Sequence, residues 1–416
     1  MSNNSTPAQS ARKSFKTVER KLYLTSAQEA TLETWRRECC RIYNRALEHR
    51  IKAYKRRKES VSQYGQQKLL TLWRRGMPTV AEVPAQFERD ALRRVDRGFK
   101  AFWRRLQTKA ERPGFPRFRT QHRYMSMEQI QPGNFFRSGK VFVPGIGLVR
   151  SRGCYANGKQ KGLRLIKRAD AWYAQVIVEG EPLPPKIKPQ SAVGIDMGLT
   201  SFATLSTGEK IDNPRWARAA ARRLKLAQRR LSRKQRGSCN RVKARRRVAR
   251  VHQRVAAQRK DFAHQFSRRI VDEYDLIGFE KLNIAGLGRS RLAKSIMDAA
   301  WGLFLFFVMH KAENAGRHAV PVTAAGTSQE CPQCGRIAPK SLSERVHACT
   351  CGLQIDRDEA AARVILARAL AVAGALRLLR GPPLLDGSRH PASGPDETGS
   401  FAAATQQQDT TEKRRS

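Results

Sequence analysis

Four thiols and three carboxylates have the residue types and the spacing to do chemistry. Cys331-Pro-Gln-Cys334-Gly and Cys349-Thr-Cys351-Gly place four of the eight cysteines within 21 residues, and 14 residues separate the two pairs. That spacing matches a zinc ribbon, in which four thiolates make a closed tetrahedral site with no position left for catalysis. The expectation is one structural Zn²⁺ on Cys331, Cys334, Cys349 and Cys351. The second pair is one residue short of Cys-x-x-Cys, which keeps His347 as a spare ligand. Unpaired buried thiols are the plainer alternative. Cys39, Cys40, Cys154 and Cys239 are scattered. Disulfide frameworks suit small secreted chains. The first 16 residues are polar and lack an apolar signal core, so a reducing cytoplasm is expected.

The carboxylates are far apart in sequence, and each ends an apolar element. Val193-Gly-Ile-Asp-Met-Gly-Leu-Thr200 delivers Asp196, and Leu276-Ile-Gly-Phe-Glu-Lys-Leu-Asn283 delivers Glu280. Asp356-Arg-Asp-Glu-Ala-Ala-Ala362 opens a helix and delivers Asp358 in its first turn. Hard divalent cations prefer carboxylate oxygens. Two such ions, roughly 3.5–4 Å apart, activate water and stabilise the leaving oxygen of a phosphodiester. The expected site is therefore Asp196, Glu280 and Asp358 around two Mg²⁺. The alternative is that each acid pairs with a nearby arginine. Asp356 and Glu359 have the form of a capping box, so Asp356 is assigned to the helix start.

The surroundings of these acids are strongly basic. The 416 residues carry 81 Lys+Arg against 35 Asp+Glu, a net charge of +46. Such an excess repels itself unless a polyanion neutralises it. Nucleic acid is the simplest polyanion, and an anionic membrane surface is the alternative. Apolar residues make up 40%, which excludes a wholly disordered chain. No run approaches the roughly 18 apolar residues of a membrane span. Residues 215–260 hold 19 Lys/Arg and no acid, and Arg236-Gly-Ser238 marks a turn between two helices. Arg222, Arg223, Arg229, Arg230, Arg233, Lys234, Arg245, Arg246 and Arg247 are the expected nucleic-acid contacts.

The elements that must hold these groups follow from periodicity. Lys16–Leu24 reads as a strand, and Ser26-Ala-Gln-Glu29 as a capping box opening a helix. Further helices are expected around Tyr64–Trp73 and Gln86–Leu106. Phe99, Phe102, Trp103 and Leu106 share one face of the latter, read as core, with base stacking as the alternative. Glu111-Arg-Pro-Gly-Phe-Pro-Arg-Phe118 breaks the helices. Lys140–Val143, Gly147–Arg150, Gly162–Lys167 and Ala171–Glu179 alternate as short strands of a small antiparallel barrel completed by the first strand. A proline-rich linker follows at 181–189. Later come a strand (Tyr274–Glu280), a helix (Ser295–Gly316), a strand (His318–Val322) and a last helix (Asp358–Leu379). The organisation expected is a disordered 1–15, a first barrel strand at 16–25, a helical lobe at 26–120 and a β-barrel with linker at 121–190. A nuclease domain at 191–325 carries the basic helix pair, a zinc module spans 326–355, the final helix 356–380, and a disordered tail 381–416.

The ordered set of motifs resembles the TnpB family, RNA-guided nucleases of insertion sequences and ancestral to type V CRISPR effectors. It runs from Arg112-Pro-Gly-Phe-Pro-Arg-Phe through Val-Gly-Ile-Asp196-Met-Gly, the arginine-rich helix pair and Gly-Phe-Glu280-Lys-Leu-Asn. Ile296-Met-Asp-Ala-Ala-Trp-Gly, Thr327-Ser-Gln-Glu-Cys-Pro-Gln-Cys-Gly and Cys351-Gly-Leu-Gln-Ile-Asp-Arg-Asp358 complete it, covering nearly the whole chain. The resemblance implies an α+β multidomain protein. Its parts are an RNase H-like (RuvC) α/β nuclease domain with a zinc ribbon insert, an oligonucleotide-binding β-barrel (wedge) and a helical recognition lobe. It implies an Asp196–Glu280–Asp358 triad, a guide RNA from the element's own end, and a double-stranded DNA target cut beside a short flanking motif. Pairing then reads sequence while the protein reads backbone and flank. A cytoplasmic, nucleoid-associated location follows. One position departs: the family usually has Asn two residues after the last catalytic Asp, and here it is Ala360. A nuclease-impaired RNA-guided binder and a miniature CRISPR effector are the alternatives. An actin-like ATPase shares Gly-Ile-Asp-x-Gly but fits neither the charge nor the absence of a second glycine-rich phosphate loop.

Overall fold

A computed structural model describes residues 14–109, 113–153, 157–180, 182–183, 189–341 and 344–379. Residues 1–13 of the stretch 1–15 expected to be disordered, all of the expected disordered tail at 381–416, residue 380, the start of the Arg-Pro-Gly motif, Cys154 and most of the proline-rich linker lie outside the described residues. The chain divides into compact units 1–370 and 371–416, and the second is described only over 371–379, which are helical. Among the described residues no helix is long and apolar enough to cross a membrane.

The first half interleaves a sheet with a helical excursion. β1 (Ser14–Tyr23) leads into α1 (Ser26–Arg57), α2 (Gln63–Gly76), α3 (Pro78–Ala81) and α4 (Ala85–Gln107). Strands β2 (Ser126–Gln129), β3 (Phe136–Arg137), β4 (Lys140–Val143), β5 (Gly147–Arg152), β6 (Lys159–Lys167) and β7 (Trp172–Gly180) follow. They form one antiparallel sheet in the order β2-β6-β7-β1-β5-β4-β3, so the first strand sits between β7 and β5. The strand begins at Ser14, inside the stretch expected to be disordered. Trp35, Phe87, Leu92, Tyr124 and Trp172 belong to a single core shared by helices and sheet. The helix α1 is capped by Thr25, not Ser26. Thr25 accepts the Gln28 N–H at 3.2 Å and Gln28 Oε1 accepts the Thr25 N–H at 3.1 Å. Thr-Ser-Ala-Gln is an equally good box one residue earlier, and the extended backbone leaving β1 selects it.

The second half is a three-layer α/β unit. β8 (Ala192–Met197), β9 (Ser201–Leu205) and β10 (Lys210–Asp212) precede α5 (Trp216–Ser232) and α6 (Cys239–Glu273). Then come β11 (Leu276–Glu280), α7 (Ile284–Leu287), α8 (Ala293–Ala299), α9 (Trp301–Asn314), β12 (His318–Val322), β13 (Val346–Ala348), β14 (Gln354–Asp356) and α10 (Arg357–Leu379). The sheet order is β10-β9-β8-β11-β12, with β8, β11 and β12 parallel. Strand side chains alternate between faces. Val193, Ile195, Ile277 and Phe279 therefore share one core with Phe266 and Ile270 of α6 and Phe304 and Val308 of α9. Gly194, Asp196, Gly278 and Glu280 occupy the opposite face, under α10. The helix expected over Ser295–Gly316 is two helices. Ala300, with φ of 56°, closes α8 and starts α9, and a left-handed alanine costs about 1 kcal/mol.

Candidate active site and nucleic-acid surface

Two adjacent strands and one overlying helix carry the three expected acids near enough to act on one another electrostatically, although among the described residues it is the four cysteines, and not these carboxylates, whose ligand atoms already gather as closely as a bound ion requires. The parallel register pairs Gly278 with Gly194 and Phe279 with Ile195. The next step sets Glu280 beside Asp196 on neighbouring strands, a spacing of about 4.8 Å between backbones. Both strands carry glycine two residues before the acid. A Cβ on Gly194 would collide with the Ala362 carbonyl and lie 2.7 Å from the Leu366 nitrogen; one on Gly278 would lie 2.6 Å from the Ala369 Cβ. The helix α10 thus rests its backbone in a notch across β8 and β11. From Ala362 back to Asp358 is four helical residues, about 6 Å. From Gly194 on to Asp196 is two strand residues, about 6.6 Å. The two carboxylates therefore meet at the same level.

Electrostatics register this convergence. Burial, then the charges of Glu280 and Asp358, push Asp196 up from the ordinary 3.8 to about 7. Burial raises Glu280 as well, although it accepts the Thr327 hydroxyl at 2.5 Å. Among the described residues none of the three forms an ion pair, so the alternative of acid–arginine pairing does not occur there. Asp356 is engaged elsewhere, accepting the Asp358 and Glu359 N–H groups at 3.0 and 3.3 Å and pairing with Lys210 at 2.7 Å. The expected capping box is only half formed, because the Glu359 side chain turns to Arg363 at 2.6 Å. Asp196 and Asp358 line a cleft of about 390 Å³ together with Gly198, Trp301, Arg345 and Arg357. The guanidinium of Arg357 is held by the Ser341 and Glu344 carbonyls at 2.9 and 3.3 Å. It and Arg345 bring positive charge to the acids' cleft with no carboxylate partner among the described residues. Sequence reasoning missed both arginines, Trp301 and the glycine notch. The repeated Gly-x-acid spacing in the two strands was the signal for the notch.

The cysteines gather on the segment leading into α10. The Sγ atoms of Cys331, Cys334, Cys349 and Cys351 all lie within 4.8 Å of one another and could hold one metal ion. Closest approaches are 3.7 Å for Cys331–Cys351 and 3.5 Å for Cys334–Cys349. Each pair is followed by a glycine with positive φ, Gly335 at 72° and Gly352 at 89°. Their N–H groups return to the Cys331 and Cys349 carbonyls at 2.9 and 3.0 Å. The Cys351 N–H, and then the neighbouring thiols, hold the Cys349 thiol down to about 6. His347 is buried and meets Lys340, outside the four-sulfur set.

The basic pair is α5 and α6. All nine side chains expected to contact nucleic acid are exposed, and none forms an ion pair among the described residues. No residue of α5 is buried, so the hairpin is anchored mainly at its base. There Asp298 accepts the Ala217 N–H at 2.8 Å and the Arg218 N–H at 3.2 Å, and takes Arg259 at 2.6 Å. It caps, from another helix, a terminus whose own cap residue Arg215 offers none. At mid-length Gln253 donates to Asp170 at 2.6 Å, tying α6 to the first sheet.

Comparison with known proteins finds family models over three parts of the chain. A family model described as "Probable transposase" matches residues 175–291, and one described as "Cas12f1-like, TNB domain" matches 301–365. A "Helix-turn-helix domain" model matches 16–59, where the structure has β1 and one long helix. A Streptomyces pristinaespiralis protein, provisionally named an RNA-guided DNA endonuclease, is 35% identical over 344 residues, 79% of this chain and 83% of that one. InsQ of Escherichia coli K12, named in the same provisional way, is 26% identical over 77% of this chain and 84% of its own. The cryo-EM structure of a Cas12f1–sgRNA–target DNA complex shares the fold, with a TM-score of 0.53 at 14% identity over 81% of this chain and 82% of that one.

Proposed function

This chain belongs to the TnpB family of insertion-sequence nucleases, and from that premise we propose that it is an RNA-guided DNA endonuclease cutting beside a short flanking motif. The observation that carries the reading is the set of three carboxylates left without a cation partner in a chain of net charge +46. Asp196, Glu280 and Asp358 are oxygen donors suited to hard divalent ions, and the proton affinity of Asp196 is raised by its acidic neighbours. A bound dication relieves that repulsion, so the donor set fits Mg²⁺. When bound, two such ions supply a water nucleophile at neutral pH and charge neutralisation at the leaving oxygen. Asp196, Glu280 and Asp358 would hold the ions, with Asp196 central because its charge is coupled to both of the others. Arg345 and Arg357 orient the scissile phosphate from the cleft wall. The nine exposed Lys and Arg of α5 and α6 track the RNA and heteroduplex backbone, so binding weakens steeply with salt.

The cysteine cluster fits a structural Zn²⁺. Four sulfurs at about 2.3 Å from one ion stand about 3.8 Å apart, close to the separations of 3.7 and 3.5 Å found here. The four cysteines would hold the ion and fix the segment that delivers Asp358. The partners are a guide RNA from the element's end and double-stranded DNA, met in the cytoplasm at the nucleoid. Ala360 favours a second reading, a nuclease-impaired RNA-guided binder. It is buried and puts no amide where the family has Asn.

The test is to purify the chain with RNA transcribed from its element's end and to supply a matching DNA with randomised flanks. Mg²⁺-dependent cutting, abolished in Asp196→Ala while RNA stays bound, supports the nuclease. Guided binding without cutting supports the impaired reading. Cutting without RNA overturns both.

A further inference from the structure

The aromatic face of α4, expected to be core, is so only in part: Phe99 packs against the first core and Phe102 is half-buried, while Trp103 and Leu106 are left in water. Trp103 is 52% exposed, Phe115 48% and Phe118 58%. The rings are not scattered. Phe102 lies 5.3 Å from Trp103 and 5.2 Å from Phe115, and Phe99 meets Phe115 edge-on at 5.5 Å. The loop that carries Phe115 and Phe118 is held at both ends by side chains. Arg105 donates to the Pro113 and Gly114 carbonyls, Tyr43 to the Arg117 carbonyl at 3.2 Å, and Asn44 exchanges two bonds of 2.8 Å with Arg119. A loop fastened in this way presents its rings in one geometry, and yet leaves them in water. Exposed contiguous aromatic surface normally marks a binding site. The charge around it names the ligand. Residues 98–123 hold eight Lys/Arg and one acid, Glu111, so a protein or lipid partner with apolar contacts alone does not match, whereas a polyanion with flat faces does.

We infer that Trp103 and Phe115, bridged by Phe102, form a stacking platform for an unpaired base of the guide RNA. This rests on the RNA-guided reading above. Paired bases have both faces occupied by their neighbours. Proteins that read RNA splay unpaired bases onto aromatic rings while arginines hold the phosphates. Arg104, Arg117 and Arg119 flank the rings here.

The experiment measures binding of a labelled single-stranded oligo(A) RNA to the full chain across a salt series, for wild type, Trp103→Ala, Phe115→Ala and Trp103→Phe. One base–aromatic stack is worth about 5- to 100-fold in affinity. Each alanine variant is expected to lose that much, with the slope of log affinity against log salt unchanged, because no phosphate contact is removed. Trp103→Phe is expected to restore most of it. With 2-aminopurine in the RNA, the quenching seen on the wild type is expected to fall in Trp103→Ala. A second arm measures target DNA binding by the RNA-saturated complex, which is expected not to change. Unchanged RNA affinity in both alanine variants overturns the inference and leaves the nuclease reading standing. So does a loss confined to target DNA, which would assign the platform to DNA, or a loss of self-association instead, which would assign it to a second copy. A wild-type chain that binds no RNA overturns this inference and the guided reading together.

Discussion

The lobe built on the first sheet and the cleft built on the second treat their acids in opposite ways. In the first, buried carboxylates are neutralised by arginine. Glu88 is wholly buried and takes Arg74 at 2.6 Å. Asp90, also wholly buried, takes Arg93 and Arg94 at 2.8 Å each and the Glu128 N–H at 3.0 Å. In the cleft, Asp196, Glu280 and Asp358 face one another with no such partner, although arginine and lysine outnumber acids more than twofold in the chain. A buried acid matched by arginine escapes the cost of an uncompensated charge, which is large once one partner is removed. Keeping three acids unpaired costs stability, and that cost is recovered only when a cation arrives from solution. The contrast separates acids that build from acids that bind.

The sharpest way to break the contrast is to remove one acid of each kind. Asp90→Ala strips the largely buried Arg94 of its paired carboxylate and leaves Arg93 only a 4.0 Å contact with Glu128, and is expected to destabilise the lobe by about 3–5 kcal/mol, read by urea denaturation. Asp196→Ala removes repulsion and is expected to leave metal-free stability unchanged or raised. Equal losses would erase the distinction. Gly194→Ala tests the notch. Its new Cβ must displace the α10 backbone, at about 1–3 kcal/mol, and carry Asp358 away from Asp196. Cutting is expected to fall while RNA binding persists, whereas full activity would show that α10 does not set the site. The smallest effect is in pH. With Asp196 at about 7 in the folded chain against an ordinary 3.8, the metal-free fold binds the extra proton between those values. Its stability therefore falls as pH rises from about 4 to 7 and levels off above. Added Mg²⁺ is expected to raise the melting temperature more at pH 8 than at pH 5. An equal rise at both would show that the ion does not sit on these carboxylates.

Much of the site was legible because its signals are local. Each acid ends an apolar run, the four cysteines form two knuckles, and Lys140–Val143 alternates over the span that becomes β4. What escaped depends on contacts between distant segments. The notch needs the register that pairs Gly194 with Gly278 and the helix that crosses them, and no window of either strand contains both. Asp298 looks like an ordinary helical acid until α5 is placed against it. The break at Ala300 had no glycine or proline to announce it. The aromatics of α4 have the spacing of a buried stripe, and only the loop shows where it ends: Phe115 covers Phe99 and Phe102 and leaves Trp103 open.

The place of β1 in its sheet has a consequence for biosynthesis. Its partners lie at 147–152 and 172–180, beyond the whole helical excursion. A ribosome must therefore release about 160 further residues before that strand is hydrogen-bonded on both edges. Through that interval its backbone is an open template for any neighbouring nascent chain. The helices between can pack early on one another, but their root closes last.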